Sequence, residues 1–450
     1  MTMIATDTLR IIIGLGQTGY ACARYMAAKG WPFVVVDTRD EPPLAADFYN
    51  EFPQIKLYTG ELDPVLLASA KELILSPGVA KSSPAIQYAM QHDSRVIGDI
   101  DLFCREVSAP IVAITGSNAK STVTTLVGDM ARAAGINVAV GGNIGTPVLE
   151  LLNQPAADLY VLELSSFQLE TTHELKALAA TVLNISPDHL DRYPDMQSYY
   201  LAKHRIYRGC RHCIVNRDDP LTAPLMAQGM KQISFGLSAP DLGQYGVALE
   251  ADQSWLFQGL QPLMPVADLK VKGEHNVANV LAALSLGGAA GLPLDAMLRA
   301  VKQFTGLRHR CQWVAEKQGV GYINDSKGTN VGATLAAVQG LGAMLDDAQK
   351  LVIILGGVGK EQSFTELKAP LARYARQVLL IGRDADLIAT DLQGLPLQRA
   401  ESLEQAVALA ADLAQPGDQV LLSPACASFD MFRGYEARGD RFIEIVESLL

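Results

Sequence analysis

Cysteine is scarce in this chain, with six in 450 residues, and the six are scattered, which excludes a disulfide framework. Cys210 and Cys213 are the one close pair, but no second Cys or His pair stands at zinc spacing, so they read as thiols rather than metal ligands. Positive charge is short as well. The 37 Lys and Arg against 48 Asp and Glu leave a net charge of -11, so no basic field draws nucleic acid and any anionic ligand must be held by local groups. A long hydrophobic run is missing too. The most apolar stretch, 277–294, is interrupted by Asn279, Ser285, glycines and Pro293, which excludes a membrane span. Met1–Leu9 has no basic lead followed by an apolar run. These absences describe a cytoplasmic protein with no membrane span and no nucleic-acid partner, and a monomer is expected.

At 450 residues and 49% hydrophobic content the chain has material for about three cores. Strand-and-helix patterning restarts three times, which means parallel sheets. The first series runs from Leu9–Gly14 through a helix to Lys29, then Phe33–Asp37 and Glu72–Leu75. The second starts at Ile111 and continues through strands near 136–140, 159–164, 181–184 and 213–216, a β-rich part at 246–257 and a helical stretch over 276–304. The third starts near Gln312 and includes 320–324, 351–355, 377–381 and 419–422. The expected class is α/β in three domains: a Rossmann-like N-terminal domain over 1–98, a central P-loop-type ATPase domain over 99–305 and a Rossmann-like C-terminal domain over 306–450.

The segment Pro110–Thr122 reads as a buried strand, a tight loop and a helix start carrying Lys120, Ser121 and Thr122. Backbone N–H groups at a helix start point at anionic oxygens, a lysine reaches the outer phosphates, and the next hydroxyl can ligate magnesium. Only Ser117, Asn118 and Ala119 separate Gly116 from Lys120, so the loop is shorter than G-x-x-x-x-G-K-[ST]. It still reads as a triphosphate cradle.

Gly14-Leu15-Gly16-Gln17-Thr18-Gly19 follows a strand, opens a helix and has Asp37 at the end of the next strand, which is a full dinucleotide-binding context. Alone it suggests NAD, but helix N-termini bind any diphosphate. The diphosphate and sugar or base of another nucleotide remain equally open on the glycines. Thr38 and Arg39 sit where a base or ribose would emerge, and Arg39 reads either as a ring contact or as a solvated surface residue.

After the phosphate loop, three positions fall at ends of successive strands, where open α/β sheets bind ligands. Glu163 lies at the C-terminal end of the strand 159–164 and is a magnesium candidate with Ser121 as partner. Asn143 follows the strand near 140. His189, between Asp188 and Asp191, follows the strand near 184, and reads either as a site residue or as a structural histidine.

The segments 116–122, Gly142–Gly145, Glu163–Gln168, Asn184–Asp191, Lys203–Tyr207, Glu274–Asn279, His309-Arg310, Asn324–Asn330 and Leu422–Asp430 together resemble the ATP-dependent Mur ligases over nearly the whole chain. The central ATP motifs mark the superfamily, which includes folylpolyglutamate synthases. The N-terminal loop and the last two motifs mark the branch that uses D-glutamate.

The resemblance implies an ATP-dependent amide ligase that adds D-glutamate to UDP-N-acetylmuramoyl-L-alanine through an acyl phosphate, in peptidoglycan precursor synthesis. It implies ATP on Gly116, Ser117, Asn118, Ala119, Lys120, Ser121 and Thr122, with Asn276, Asn279, His309, Arg310 and Asp325 around the adenine, ribose or phosphates. Two magnesium sites would use Ser121, Glu163, His189 and Lys203, and manganese would fit a similar shell. Lys203 would carry carbon dioxide as a carbamate, where its residue type alone suggests a surface lysine. Lys120, His189 and Lys203 would be the catalytic set.

By the same resemblance, UDP would lie on Leu15, Gln17, Thr18, Asp37, Thr38, Arg39 and Gly78, so that the first domain would hold UDP rather than NAD. Asn143 and His189 would touch the alanyl carboxylate, and Ser165 the muramoyl part. D-glutamate would be gripped by Lys327, Thr329, Lys360, Ser428 and Tyr435; its two carboxylates would explain two lysines. Asn324, Ser326 and Cys426 are read as turn and packing residues.

Three positions depart from the family pattern. Ala119 replaces a usual glycine, which suggests that no positive φ is needed there. Val358 replaces an aspartate, which puts in doubt any ion pair orienting Lys360. Tyr435 replaces a phenylalanine and adds a hydroxyl to the ring.

Overall fold

The computed structural model describes residues 9–224, 230–271, 273–346 and 348–449; Met1–Thr8, which carry no basic residue, lie outside them. The short apolar runs at 11–13, 33–36, 111–114, 159–162, 179–182, 351–355 and 420–422 become strands buried on both faces, and the strands gather into three sheets.

The first sheet contains β1 (Arg10–Ile13), β2 (Phe33–Asp37), β3 (Leu57–Thr59), β4 (Glu72–Leu75) and β5 (Arg95–Ile97) in the order β3-β2-β1-β4-β5. All its pairs are parallel. The order reverses at β1, so the crevice of a Rossmann-like half opens beyond the C-terminal ends of β1, β2 and β4.

The central sheet is built from β6 (Ile111–Thr115), β7 (Val138–Gly142), β8 (Leu159–Glu163), β9 (Ala179–Val182), β10 (His212–Asn216), β11 (Lys231–Phe235), β12 (Gln244–Glu250), β13 (Gln253–Gln258) and β14 (Gln261–Pro265). Its order is β14-β13-β12-β11-β10-β9-β6-β8-β7, parallel from β7 to β12 and antiparallel through the last two pairs. The helical stretch expected over 276–304 is two helices, Glu274–Ala289 and Leu294–Gln303. Gly291 takes a positive φ and Pro293 cannot continue a helix, so the chain turns between them.

The third sheet is β15 (Gln312–Lys317), β16 (Val320–Asn324), β17 (Leu351–Gly356), β18 (Ala375–Ile381), β19 (Leu397–Arg399) and β20 (Gln419–Leu422). Its order is β15-β16-β20-β17-β18-β19, with only the β15–β16 pair antiparallel.

The three units are joined unequally. One apolar cluster runs from Ile12, Met26 and Ile97 of the first unit through Ile100 and Phe103 to Tyr160 and Leu162 of the central one. The third unit keeps separate clusters around Ile353 and around Tyr322. Among the described residues no helix is long and apolar enough to cross a membrane.

Candidate active site

The phosphate loop leaves β6 at Gly116, whose φ is +157, and enters the helix Lys120–Ala133 through Ala119. A Cβ on Gly116 would lie 3.0 Å from the Leu183 Cβ, so glycine lets the loop cross β9 closely. Ala119 has φ +65, the left-handed conformation. The expectation that this position needs no positive φ is therefore wrong: the turn demands that conformation, and alanine adopts it under steric strain.

Neighbouring side chains hold the loop rigid. The Asn118 amide donates to the Asn184 Oδ1 at 2.8 Å, and the Ser117 hydroxyl meets the Ser186 carbonyl and the Tyr199 hydroxyl, each at 3.0 Å. Lys120 folds back, donating from Nζ to the carbonyls of Gly116 and Ser117 at 2.8 and 2.9 Å. Burial lowers its pKa, against the raising influence of Glu163 and Asp188.

Lys203, on the helix Met196–His204, is no surface lysine. It is 2% exposed, donates from Nζ to the Gly116 carbonyl at 2.8 Å, and lies 4.6 Å from the Tyr199 ring centroid. Burial and the neighbouring Lys120 charge hold its amine well below the usual lysine range.

Glu163 ends β8 with its carboxylate buried. Its Oε1 accepts from the Asn143 side chain at 2.7 Å, while its Oε2 has no hydrogen-bond partner. A buried carboxylate oxygen left unpaired needs an explanation, and a cation ligated there together with the Ser121 hydroxyl supplies one. Asn143 is brought to this place by Gly142, where a Cβ would lie 2.3 Å from the Glu163 carbonyl oxygen.

His189 sits at φ +57, its ring 4.8 Å from that of Phe167 and its Nε2 3.6 Å from Asp188. Burial lowers the imidazole pKa, against the raising influence of Asp188. Ser165 caps the short helix Ser166–Glu170 in a reciprocal pair with Gln168. Among the described residues no three His, Cys, Asp or Glu side chains cluster as a metal site. A cation here would thus rest on Glu163 with hydroxyl, imidazole and ligand oxygens.

The third unit closes the cavity. Arg310 donates to the Ser121 hydroxyl at 2.7 Å, and Lys360 pairs with Asp188 at 3.1 Å. Burial pushes the Asp188 carboxyl up, but the Lys360, His189 and Lys120 charges outweigh it and hold the pKa low. The doubt raised by Val358 is answered by Asp188, which supplies the anion that Val358 lacks; Val358 itself bridges to the Ala427 backbone. Lys327 lies 3.6 Å above the Tyr435 ring, so the ring serves as a cation-π platform. Burial, Arg310 and Lys120 push the Lys327 amine down to about 8.

Two adjoining cavities collect most of the expected residues. One is lined by the loop 117–121 with Asn143, Glu163, Ser165, His189, Lys203, Arg310, Lys327, Thr329 and Lys360. The other contains Asn118, Ala119, Thr122, Asn276, Asn279, Arg310 and Asp325, with Leu183 and Phe235 as apolar walls. Asp325 accepts from Ser423 at 2.7 Å, and burial raises its carboxyl to about 6.

His309, Ser428 and Tyr435 line neither cavity. The His309 ring is 5% exposed and packs on Gly439, with its Nδ1 3.0 Å from Asn324.

In the first unit, Gly14 has φ +97, and a Cβ on Gly19 would lie 1.9 Å from the Gly14 carbonyl oxygen. The helix Gln17–Ala28 can therefore start hard against β1. Leu15, Gln17, Thr18, Thr38, Arg39 and Gly78 lie at the crevice, but Asp37 is committed: its Oδ2 accepts from the Leu15 amide at 2.6 Å and its Oδ1 from the Arg39 Nε at 2.8 Å. Asp37 braces the loop and is not free to read a ribose as in a dinucleotide site.

Sequence reading gave no role to several residues that matter here. Arg192 donates to the carbonyls of Pro77 and Val79, tying the Gly78 loop to the His189 loop. Asn330 donates to both Asn118 and Asp188. Arg438, 1% exposed, donates to Ser326 and to the Cys426 carbonyl, fastening the two loops of the third unit together. Asn324, Ser326 and Cys426 thus do the loop-building work expected of them. Only adjacency to a recognised motif could have drawn notice to these residues.

Comparison with known proteins follows the same division into three. Residues 8–98 match the Mur ligase MurD-like N-terminal domain, 114–287 the Mur ligase middle domain, and 309–426 the Mur ligase glutamate ligase domain. Over 450 residues and all of both chains, the sequence is 56% identical to a UDP-N-acetylmuramoylalanine--D-glutamate ligase of Pseudomonas aeruginosa and 52% identical to one of Hahella chejuensis. Among solved structures, a pseudomurein peptide ligase type C from Methanothermus fervidus aligns with TM-score 0.61 at 19% identity, covering 98% of this chain and 99% of that one. MurF from Thermotoga maritima in complex with ADP aligns with TM-score 0.61 at 15% identity, covering 99% and 98%. At those identities the likeness is one of fold.

Proposed function

We propose that this chain, which belongs to the Mur ligase family, joins D-glutamate to UDP-N-acetylmuramoyl-L-alanine with ATP, a step of peptidoglycan precursor synthesis. The full-length identity to ligases of that name supports the substrates. The observation that carries the chemistry is one cavity in which Lys120, Glu163 and Lys203 of the central unit face Arg310, Lys327 and Lys360 of the third.

The substrate carboxylate attacks the γ-phosphorus of ATP, ADP leaves, and the amine of D-glutamate then displaces phosphate from the acyl phosphate. Two anions must meet, so charge neutralisation is the main requirement. Lys120 turns from its own loop carbonyls to the phosphates, and Arg310 moves with it. Asn118, Thr122, Asn276, Asn279 and Asp325 hold the nucleoside in the adjoining cavity; His309 supports it through Asn324. Lys327, Thr329 and Lys360 take the carboxylates of D-glutamate. Ser428 and Tyr435 shape that subsite from behind.

Magnesium fits Glu163 and Ser121, and a second ion, or manganese, fits His189 with a carbamate on Lys203. Such ions supply charge neutralisation of the phosphoryl oxygens. A buried lysine with a depressed pKa has the neutral amine that adds to carbon dioxide, releasing a proton. His189 and Asn143 orient the alanyl carboxylate and Ser165 the muramoyl group. UDP lies over the Leu15–Thr18 loop, Thr38, Arg39 and Gly78, with Asp37 as their brace.

The units divide near 98 and 305, between sheets, and the reaction is placed in the cytoplasm, where ATP is available, with the protein as a monomer. The test is phosphate release from ATP and magnesium with UDP-N-acetylmuramoyl-L-alanine, comparing D-glutamate, L-glutamate and no amino acid. Release that depends on D-glutamate, with a product heavier by one glutamyl unit, is expected. Dependence on another amino acid keeps the scaffold and overturns the D-glutamate subsite, and binding of both nucleotides without release in any mixture points to a regulator.

A further inference from the structure

Among the described residues the third unit shares no apolar cluster with the central one, whereas the first two share a continuous core. Units joined without a hydrophobic interface move relative to one another unless something specific holds them. The N-terminal end of the helix Val331–Gly342 is where the third unit meets the phosphate loop.

Asn330 is the N-cap of that helix. Its Oδ1 accepts from the Ala333 amide at 2.8 Å, while its Nδ2 donates to the Asn118 Oδ1 at 3.2 Å and the Asp188 Oδ2 at 3.0 Å. An amide nitrogen has two hydrogens, and both are used across the unit boundary. The residue is 3% exposed, so neither bond is readily exchanged for water. With Lys360 on the Asp188 Oδ1, both oxygens of that carboxylate are held from the third unit.

Gly332, on the first turn, lies against the same loops. A Cβ there would lie 2.6 Å from the Ser186 Oγ, 2.9 Å from its Cβ and 3.4 Å from the Asn118 Nδ2. At the other end of the helix, a Cβ on Gly340 would lie 2.7 Å from the His275 Nδ1. The helix is seated along its length on the central unit, and its capping end is fastened.

We propose that Asn330 and Gly332 are positioning residues for the ligase reaction: they seat the third unit on the phosphate loop, and only in that seating do Lys327, Lys360 and Arg310 reach the cavity. The reaction part of this rests on the ligase reading above; the seating part does not. Asn330 lines the cavity, where it bonds to Asn118 and Asp188, and Gly332 lines the adjoining one. Asn330 aligns the reacting groups through Asp188 and Asn118, and Gly332 permits the approach.

The test uses the full chain with Asn330→Asp and Gly332→Ala. Aspartate caps a helix as well as asparagine does, so a purely structural cap predicts that N330D is silent. The seating role predicts otherwise, because the donor is lost and a second carboxylate faces Asp188. Alanine favours a helix over glycine, so G332A folds, but its methyl cannot be accommodated against Ser186.

Solution X-ray scattering of each protein, alone and with magnesium and a non-hydrolysable ATP analogue, reads the seating without turnover. Both variants are expected to melt no lower than the parent, yet show a larger radius of gyration in both conditions. In turnover, kcat falls at least tenfold while the KM for the UDP-linked substrate changes less than twofold, because that substrate sits on the first and central units. An unchanged radius in either variant, or a parent already extended in both conditions, overturns the proposal. If the wild type shows no D-glutamate-dependent turnover, the ligase reading fails, while the scattering result still decides the seating.

Discussion

Arg310 of the third unit donates from its Nη2 to the Ser121 hydroxyl at 2.7 Å, although 189 residues separate them in the chain. The hydroxyl that suits a magnesium ligand is thus held by a guanidinium. Under the proposed ligase reading, a nucleotide arriving with its ion would displace that contact and hand Arg310 to the phosphates.

Arg310→Ala is therefore expected to lower kcat by about a hundredfold, the usual effect of removing one strong donor from a charge-developing site. The melting temperature should stay near that of the parent, because Arg310 lines a cavity rather than a core. Steady-state phosphate release and thermal melting check this. Near-normal turnover removes Arg310 from the chemistry.

Lys203 yields a pair of expectations. Its native pKa lies well below the ordinary lysine value, from burial first and Lys120 second. Between the native value and about 10.4 the unfolded chain binds a proton that the native chain does not, so stability at this site rises with pH across that window. In buffer free of carbon dioxide, Lys203→Met should melt higher than the parent at pH 7, with the gap narrowing toward pH 10. Lys203→Ala should lose turnover and regain part of it with acetate, which replaces the carbamate oxygens. Absence of rescue at any acetate concentration counts against the carbamate.

Ala119 occupies the left-handed region at φ +65. A side chain there is disfavoured by roughly 1–2 kcal/mol, against a greater loss of chain entropy for glycine of about 0.5–1 kcal/mol. Ala119→Gly should stabilise the protein by up to about 1 kcal/mol and retain ATP turnover, as read by denaturant melts and phosphate release. A loss of stability would mean that the turn is relaxed with alanine.

Lys327 has its amine pushed down to about 8 by burial, Arg310 and Lys120. It is charged below that pH and neutral above it, so dicarboxylate binding should weaken as pH rises through 8. Glutarate, which carries no amine to confuse the titration, is expected to inhibit up to about tenfold less per pH unit above 8. Lys327→Arg should flatten the profile. A flat profile in the parent would remove Lys327 from carboxylate binding.

The sequence by itself determined what short-range patterns can carry. Alternating apolar runs and helix signals located the strands at the heart of all three sheets, because a strand buried on both faces must be apolar along its length. The loop 116–122, Glu163 and His189 stood at strand ends, and the fold puts them together because parallel strands bring their C-terminal ends to one edge. Local signals misled at Ala119, which takes the left-handed conformation where the loop turns into its helix, and over 276–304, where a turn divides one apolar stretch.

The tertiary structure alone decided which distant groups share a charge or a hydrogen bond. Lys203 reads as a surface lysine until the helix Met196–His204 turns it beneath the phosphate loop. Asp37 reads as a nucleotide contact, and in the fold Leu15 and Arg39 occupy its oxygens. Lys360 lacks a partner in its own loop and finds Asp188 across the cleft, and Asn330 divides its two hydrogens between Asn118 and Asp188. The Lys360 and Asn330 pairings span more than a hundred residues and follow no period. They depend on how one sheet lies against another, and that geometry exists only once the cores have formed.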